Sequence, residues 1–115
     1  MAAPKLVIFD CDGVLVDTET LANQRLAQWI SEGGYPITYA QCRQRFVGRS
    51  LVSVHAELKT LGTDLGDDFV ERWYRELPAI FGSGVEKIPY VETFIAAVEA
   101  AGVAHCVASS ARLEK

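Results

Sequence analysis

Lys5-Leu-Val-Ile-Phe-Asp10-Cys-Asp12-Gly-Val-Leu-Val-Asp17-Thr-Glu19 decides how this chain is read. Lys5 to Phe9 is a mostly apolar run, too short for a helix and without clean alternation. Such a run predicts a strand buried on both faces, as in a parallel sheet. Asp10 and Asp12 follow at once with one residue between them, and Gly13 breaks the strand. The carboxyl edge of an open α/β sheet is where such folds hold their ligands. With this spacing a side-chain oxygen of Asp10 and the backbone carbonyl of Asp12 can face one point. Both are hard oxygen ligands, suited to a Mg²⁺ ion that keeps some water. The Asp12 side chain can then handle a proton, while Asp10 can attack phosphorus as a carboxylate nucleophile. The same four residues are also good turn chemistry, with Gly13 supplying a positive φ.

Outward from this stretch the period changes. Leu21, Ala22, Leu26, Trp29 and Ile30 recur at helical spacing, and Gly33-Gly34 ends the run, which predicts a helix over 18–32. Thr38 is a good N-cap for a short helix through Phe46, and Ser50 for one over 51–61 that Gly62 closes. Asp67 or Asp68 can start a further helix with Phe69, Val70, Trp73, Tyr74 and Leu77 on one face. Pro78 leaves the end of that helix open. Beyond the break at Gly82-Ser83-Gly84, Val91, Phe94, Ile95 and Val98 form an amphipathic helix that Gly102 stops. Val103 to Ala108 predicts a second buried strand, which His105 enters, and Ser109-Ser110 follows it. The order strand, four-helix insert, helix, strand predicts an α/β fold with a parallel sheet. Ser109 can donate to a phosphate oxygen or simply cap the next helix.

The eleven contiguous residues from Phe9 to Glu19 resemble the first motif of the haloacid dehalogenase-like (HAD) phosphohydrolase superfamily. They are closest to its β-phosphoglucomutase and phosphoglycolate phosphatase branch. The resemblance implies a Rossmann-like parallel-sheet core, residues 1–17 and 83–115 and incomplete here, with an inserted four-helix cap, 18–82. Hinges are expected near 13–17 and 82–88. Asp10 is implied to be the nucleophile that becomes an aspartyl-phosphate, Asp12 the general acid/base, and both the ligands of Mg²⁺. Asp12 also favours phosphoryl transfer over carbon–halogen cleavage, since the haloalkanoate dehalogenases lack this second acid. Val107-Ala-Ser-Ser110 resembles the second motif, which implies phosphate binding by the Ser109 hydroxyl and the Ser110 amide. Arg112 matches a position near the substrate in relatives. Phe46-Val-Gly-Arg-Ser50 resembles the cap loop that touches the leaving group, with Arg49 as a forked donor. Glu19 is implied to orient the hinge or bind a substrate hydroxyl. Arg49 and Arg112 are equally readable as solvated arginines, and Glu19 as a first-turn helix acid.

The implied function is a Mg²⁺-dependent phosphatase acting on a small phosphate monoester, with sugar phosphates as one class. One alternative is a β-phosphoglucomutase-like phosphomutase, although residues 20–24 lack its basic and histidine pattern. The other is a non-catalytic binding module. The family pattern expects a lysine and an acidic pair downstream of Ser110, so the chain reads as the N-terminal portion of a longer, monomeric enzyme. Among the bulk properties, a net charge of −4 argues against a nucleic-acid binder. No apolar run reaches the length of a membrane span, and no signal peptide precedes the first strand. Cys11, Cys42 and Cys106 are far apart without Cys-x-x-Cys spacing, which predicts free thiols in a cytoplasmic setting.

Overall fold

The computed structural model describes residues 2–110. Strand β1 (Leu6–Phe9) is followed by helices α1 (Thr18–Glu32), α2 (Tyr39–Phe46), α3 (Leu51–Thr60), α4 (Phe69–Phe81) and α5 (Val91–Ala100), then by strand β2 (Ala104–Val107). β1 and β2 pair in parallel, from Leu6 opposite Ala104 to Phe9 opposite Val107. This is a mixed α/β architecture with a short parallel sheet.

The first three helices begin where their cap chemistry directs. Asp17 accepts from the Thr20 N–H at the head of α1. Thr38 and Gln41 form a reciprocal capping box on α2, and Ser50 accepts from the Ser53 N–H on α3. At the end of α1, Gly33 leaves room for Leu65: a Cβ there would stand 2.6 Å from Leu65 Cδ2, and that side chain would have to shift. The apolar stripes of α1 to α4 converge on one core that includes Ile30, Phe46, Leu58 and Phe69. Trp29 meets Trp73 edge-on at 5.6 Å and Phe69 at 5.9 Å.

α4 runs through Pro78 to Phe81. Proline deprives the Tyr74 carbonyl of its helical donor, a cost normally large enough to end a helix. Here Leu77 is buried in the core and Ile80 and Phe81 pack against it, which holds the last turn in place. α5 starts abruptly, from Tyr90 in the left-handed region at φ 66°.

The sheet corrects one expectation. β1 is buried on one face only: Phe9 is buried against α5, with its ring 5.9 Å from that of Phe94, whereas Leu6 and Ile8 are 50% and 60% exposed. β2 is exposed along its length, His105 included. The physical reason is coverage: α5 shields the Phe9 face, and no described element lies over the other.

Burial pushes the Cys42 thiol up to about 11, whereas Cys106 is exposed and Cys11 half-buried. A thiol reacts as its thiolate. An aromatic disulfide reagent at pH 8 is expected to label Cys11 and Cys106 in the folded protein and Cys42 only on unfolding, as read by mass spectrometry of digested peptides.

Candidate active site

The stretch after β1 folds into a tight loop. The Cys11 carbonyl accepts from the Leu15 N–H at 2.9 Å, and the Gly13 N–H donates to the Val16 carbonyl at 2.9 Å. Gly13 sits at φ 75°, and a Cβ there would stand 3.4 Å from the Glu19 carboxyl carbon. The positive φ is what favours glycine here, since a Cβ would be in ordinary contact with Glu19. The loop projects Asp10 and Asp12 from the carboxyl end of the strand. Asp10 is exposed, and one of its carboxylate oxygens accepts from the Cys11 N–H at 2.8 Å. Asp12 is half-buried and accepts from the hydroxyl of Thr18, the buried first residue of α1, at 2.8 Å.

Ser109 and Ser110 leave β2 at the same edge of the sheet. The register sets Phe9 beside Val107, and the Ala108 N–H donates to the Phe9 carbonyl at 2.8 Å. Asp10 and Ser109 therefore follow neighbouring strand ends. Arg112 lies outside the described residues. The donor chemistry at this edge fits a hard cation: Asp10 offers a carboxylate, and Asp12 a carboxylate and a carbonyl. Among the described residues, no group of three or more His, Cys, Asp or Glu side chains could hold a metal ion.

Above this edge, a cleft of ≈ 410 Å³ runs between the loop and the helices. Asp12, Thr18 and Glu19 line its floor, and residues 47–52 its rim. Asp12 reaches this space and Asp10 is not among its walls. Arg49 lines it too, yet its guanidinium bonds the Glu57 carboxylate and, at 2.6 Å, the Ser53 hydroxyl. Glu57 also receives Arg45 Nε at 2.9 Å. Sequence reading named Arg49 and missed Glu57. The signal available was helical spacing, since Ser53 and Glu57 lie four residues apart on one face of α3.

The two segments that join sheet and helices pair with each other. The Asp17 N–H donates to the Glu86 carbonyl at 2.7 Å, and the Ile88 N–H to the Leu15 carbonyl at 3.1 Å. Sequence reading marked both segments as hinges without foreseeing this pairing.

The fold is an α/β sheet with two acids and a hydroxyl at its carboxyl edge, joined to four helices. The chain belongs to the haloacid dehalogenase-like hydrolase family, whose pattern matches residues 7–115. Its fold is similar to a conserved haloacid dehalogenase-like protein of unknown function from Agrobacterium tumefaciens, at 26% identity and a TM-score of 0.85 over 96% of this chain and 49% of that one. It is also similar to a HAD family hydrolase from Deinococcus radiodurans with bound phosphate and sodium, at 27% identity and a TM-score of 0.71 over 94% and 47%. A proposed β-phosphoglucomutase from Thermotoga maritima aligns at 25% identity and a TM-score of 0.64 over 96% and 51%. The chain thus spans about half the length of these structures. No curated protein matches it in sequence. Among the described residues, no helix is long and apolar enough to cross a membrane.

The two arginines hold the Glu57 carboxyl below the usual glutamate range. A depressed carboxyl stabilises the fold above its unfolded value, and the contribution is lost as pH falls through the folded one. The gap in denaturant midpoint between the natural protein and Glu57→Gln is therefore expected to be constant from pH 7 to pH 5. It should close as pH drops below about 4.

Proposed function

We propose that this chain carries the nucleophile and the acid/base of a Mg²⁺-dependent phosphatase acting on a small phosphate monoester. In this reading residues 18–82 are a cap over a core formed by residues 1–17 and 83–115. The observation that carries it is the common edge at which Asp10, Asp12 and Ser109 emerge, with Asp12 opening into the cleft below the helices. The phosphate and sodium held by the Deinococcus relative, an oxyanion and a hard cation, support the same chemistry.

The Asp10 carboxylate attacks phosphorus, and the bond from phosphorus to the ester oxygen breaks as the aspartyl-phosphate forms. Asp12 gives its proton to the departing oxygen. It then takes a proton from water as that water attacks phosphorus, which releases phosphate and restores the Asp10 carboxylate. The Ser109 hydroxyl and the Ser110 amide donate to phosphoryl oxygens, and Glu19 and Arg49 face the leaving group. Asp10 and the Asp12 carbonyl, with further ligands, would hold Mg²⁺, which when bound would supply charge neutralisation. The Thr18 hydroxyl holds Asp12 toward the cleft.

The test is phosphate release from a panel of esters by the full-length protein with Mg²⁺. Asp10→Asn is expected to lower kcat by a factor on the order of 10⁴ or more. Turnover that survives the substitution rules out Asp10 as nucleophile. A phosphomutase, the activity proposed for the Thermotoga relative, would instead return an isomer from hexose 1-phosphates.

Thr18→Val removes a hydrogen bond to a charged group, a loss worth roughly tenfold or more in kcat. Thr18→Ser is expected to restore most of it at unchanged KM. Equal activity of all three forms would leave Thr18 a packing residue only.

A further inference from the structure

The cleft beside Asp12 has a composition of its own. Its walls are mainly apolar, with Ala22 and Leu26 from α1, Val47 and Val52 at the rim, and Val70 and Tyr74 from α4. Val47 and Val52 are 47% and 67% exposed. The charged side chains that reach it are Asp12, Glu19 and Arg49, two acids and one base. The base is already engaged, by Glu57 and by the Ser53 hydroxyl. Arg43, whose charge Glu19 also feels, donates to the Tyr39 hydroxyl and is not a wall residue. The small polar side chains of the wall each spend one hydrogen bond within the chain. Thr18 donates to Asp12, Asn23 donates to the Glu19 carbonyl, and Ser50 accepts from the Ser53 N–H.

Resting on the phosphatase reading, we propose that the leaving group of the ester is an uncharged, hydrocarbon-rich tail that lies in this cleft. A second anionic group on the substrate would meet Glu19, or would have to displace Glu57 from Arg49, and burying an unpaired charge is costly. A hydroxyl-rich tail would lose water along the apolar walls and find part of the hydrogen-bonding capacity of the small polar side chains already used within the chain. An apolar tail instead covers the exposed edges of Val47 and Val52 and takes their surface out of water. The cleft volume of ≈ 410 Å³ lies within the range of small-molecule sites.

The experiment uses the full-length protein with Mg²⁺. It compares kcat/KM for hexyl phosphate, its ω-carboxylate analogue and glucose 6-phosphate, with calorimetric titration of hexylphosphonate and 6-phosphonohexanoate alongside. Hexyl phosphate is expected to lead both other esters by about tenfold or more, and hexylphosphonate to bind about tenfold tighter than its carboxylate analogue. Equal or tighter binding of the carboxylate ligand overturns the inference, with or without turnover. Preferential binding of hexylphosphonate with no phosphate release from any ester upholds the inference and overturns the phosphatase reading. Val52→Asp, at an exposed position that folding does not rely on, is expected to reduce the preference at least fivefold. An unchanged preference would overturn the placement of the tail in this cleft.

Discussion

Two backbone hydrogen bonds between the crossing segments are the constraint on which the arrangement depends. Leu15 to Asp17 leads out of the sheet and Glu86 to Ile88 leads back, and the pair Asp17 to Glu86 and Ile88 to Leu15 joins them into a short antiparallel ribbon. Without it, the segment 18–82 with its four helices would hang from the sheet on two independent tethers, and the cleft would have no fixed width. The ribbon also closes the loop that begins at Asp10, because Val16 both accepts from the Gly13 N–H and bridges to Lys87. The acids and the helices above them are thus set by one local structure.

A second consequence follows from where α1 begins. Asp17 lies in the ribbon and caps the helix, and the next residue, Thr18, holds Asp12. Rotation of the helices about the ribbon would therefore move the donor that orients the acid. Three roles, ribbon pairing, helix cap and acid support, fall on two adjacent residues. This economy explains why the stretch from Phe9 to Glu19 reads so strongly as a unit: its residues answer to one another across the turn and not only to their own helix or strand.

Helix positions were legible because their signals are local. Thr38 with Gln41, Ser50, Gly33-Gly34 and Gly62 each act within one turn, and each element they bound lies where they direct it. What was not legible is tertiary. Pro78 obscured the end of α4, because continuation depends on Leu77 and Phe81 meeting a core assembled from three other helices. The apolar run of β1 announced two buried faces, yet a strand cannot report what covers it, and only the Phe9 face meets a helix here. The acids and Ser109 could be named as edge residues from strand ends and a βαβ order. Their shared edge required the register of β1 on β2.

The arginine of the rim is where sequence and structure part most clearly. A guanidinium in a glycine-bearing loop beside two acids reads as a hand held out to an anion. In the folded chain that hand is taken. Glu57 stands one α3 turn beyond Ser53, and both engage Arg49, while Arg45 approaches the same carboxylate from α2. Exposed ion pairs contribute little to stability. Their effect here is on availability: an arginine with two protein partners offers an incoming anion only the difference between old and new bonds. The electrostatic character of the cleft is therefore decided less by the residues that line it than by a glutamate that stands just outside.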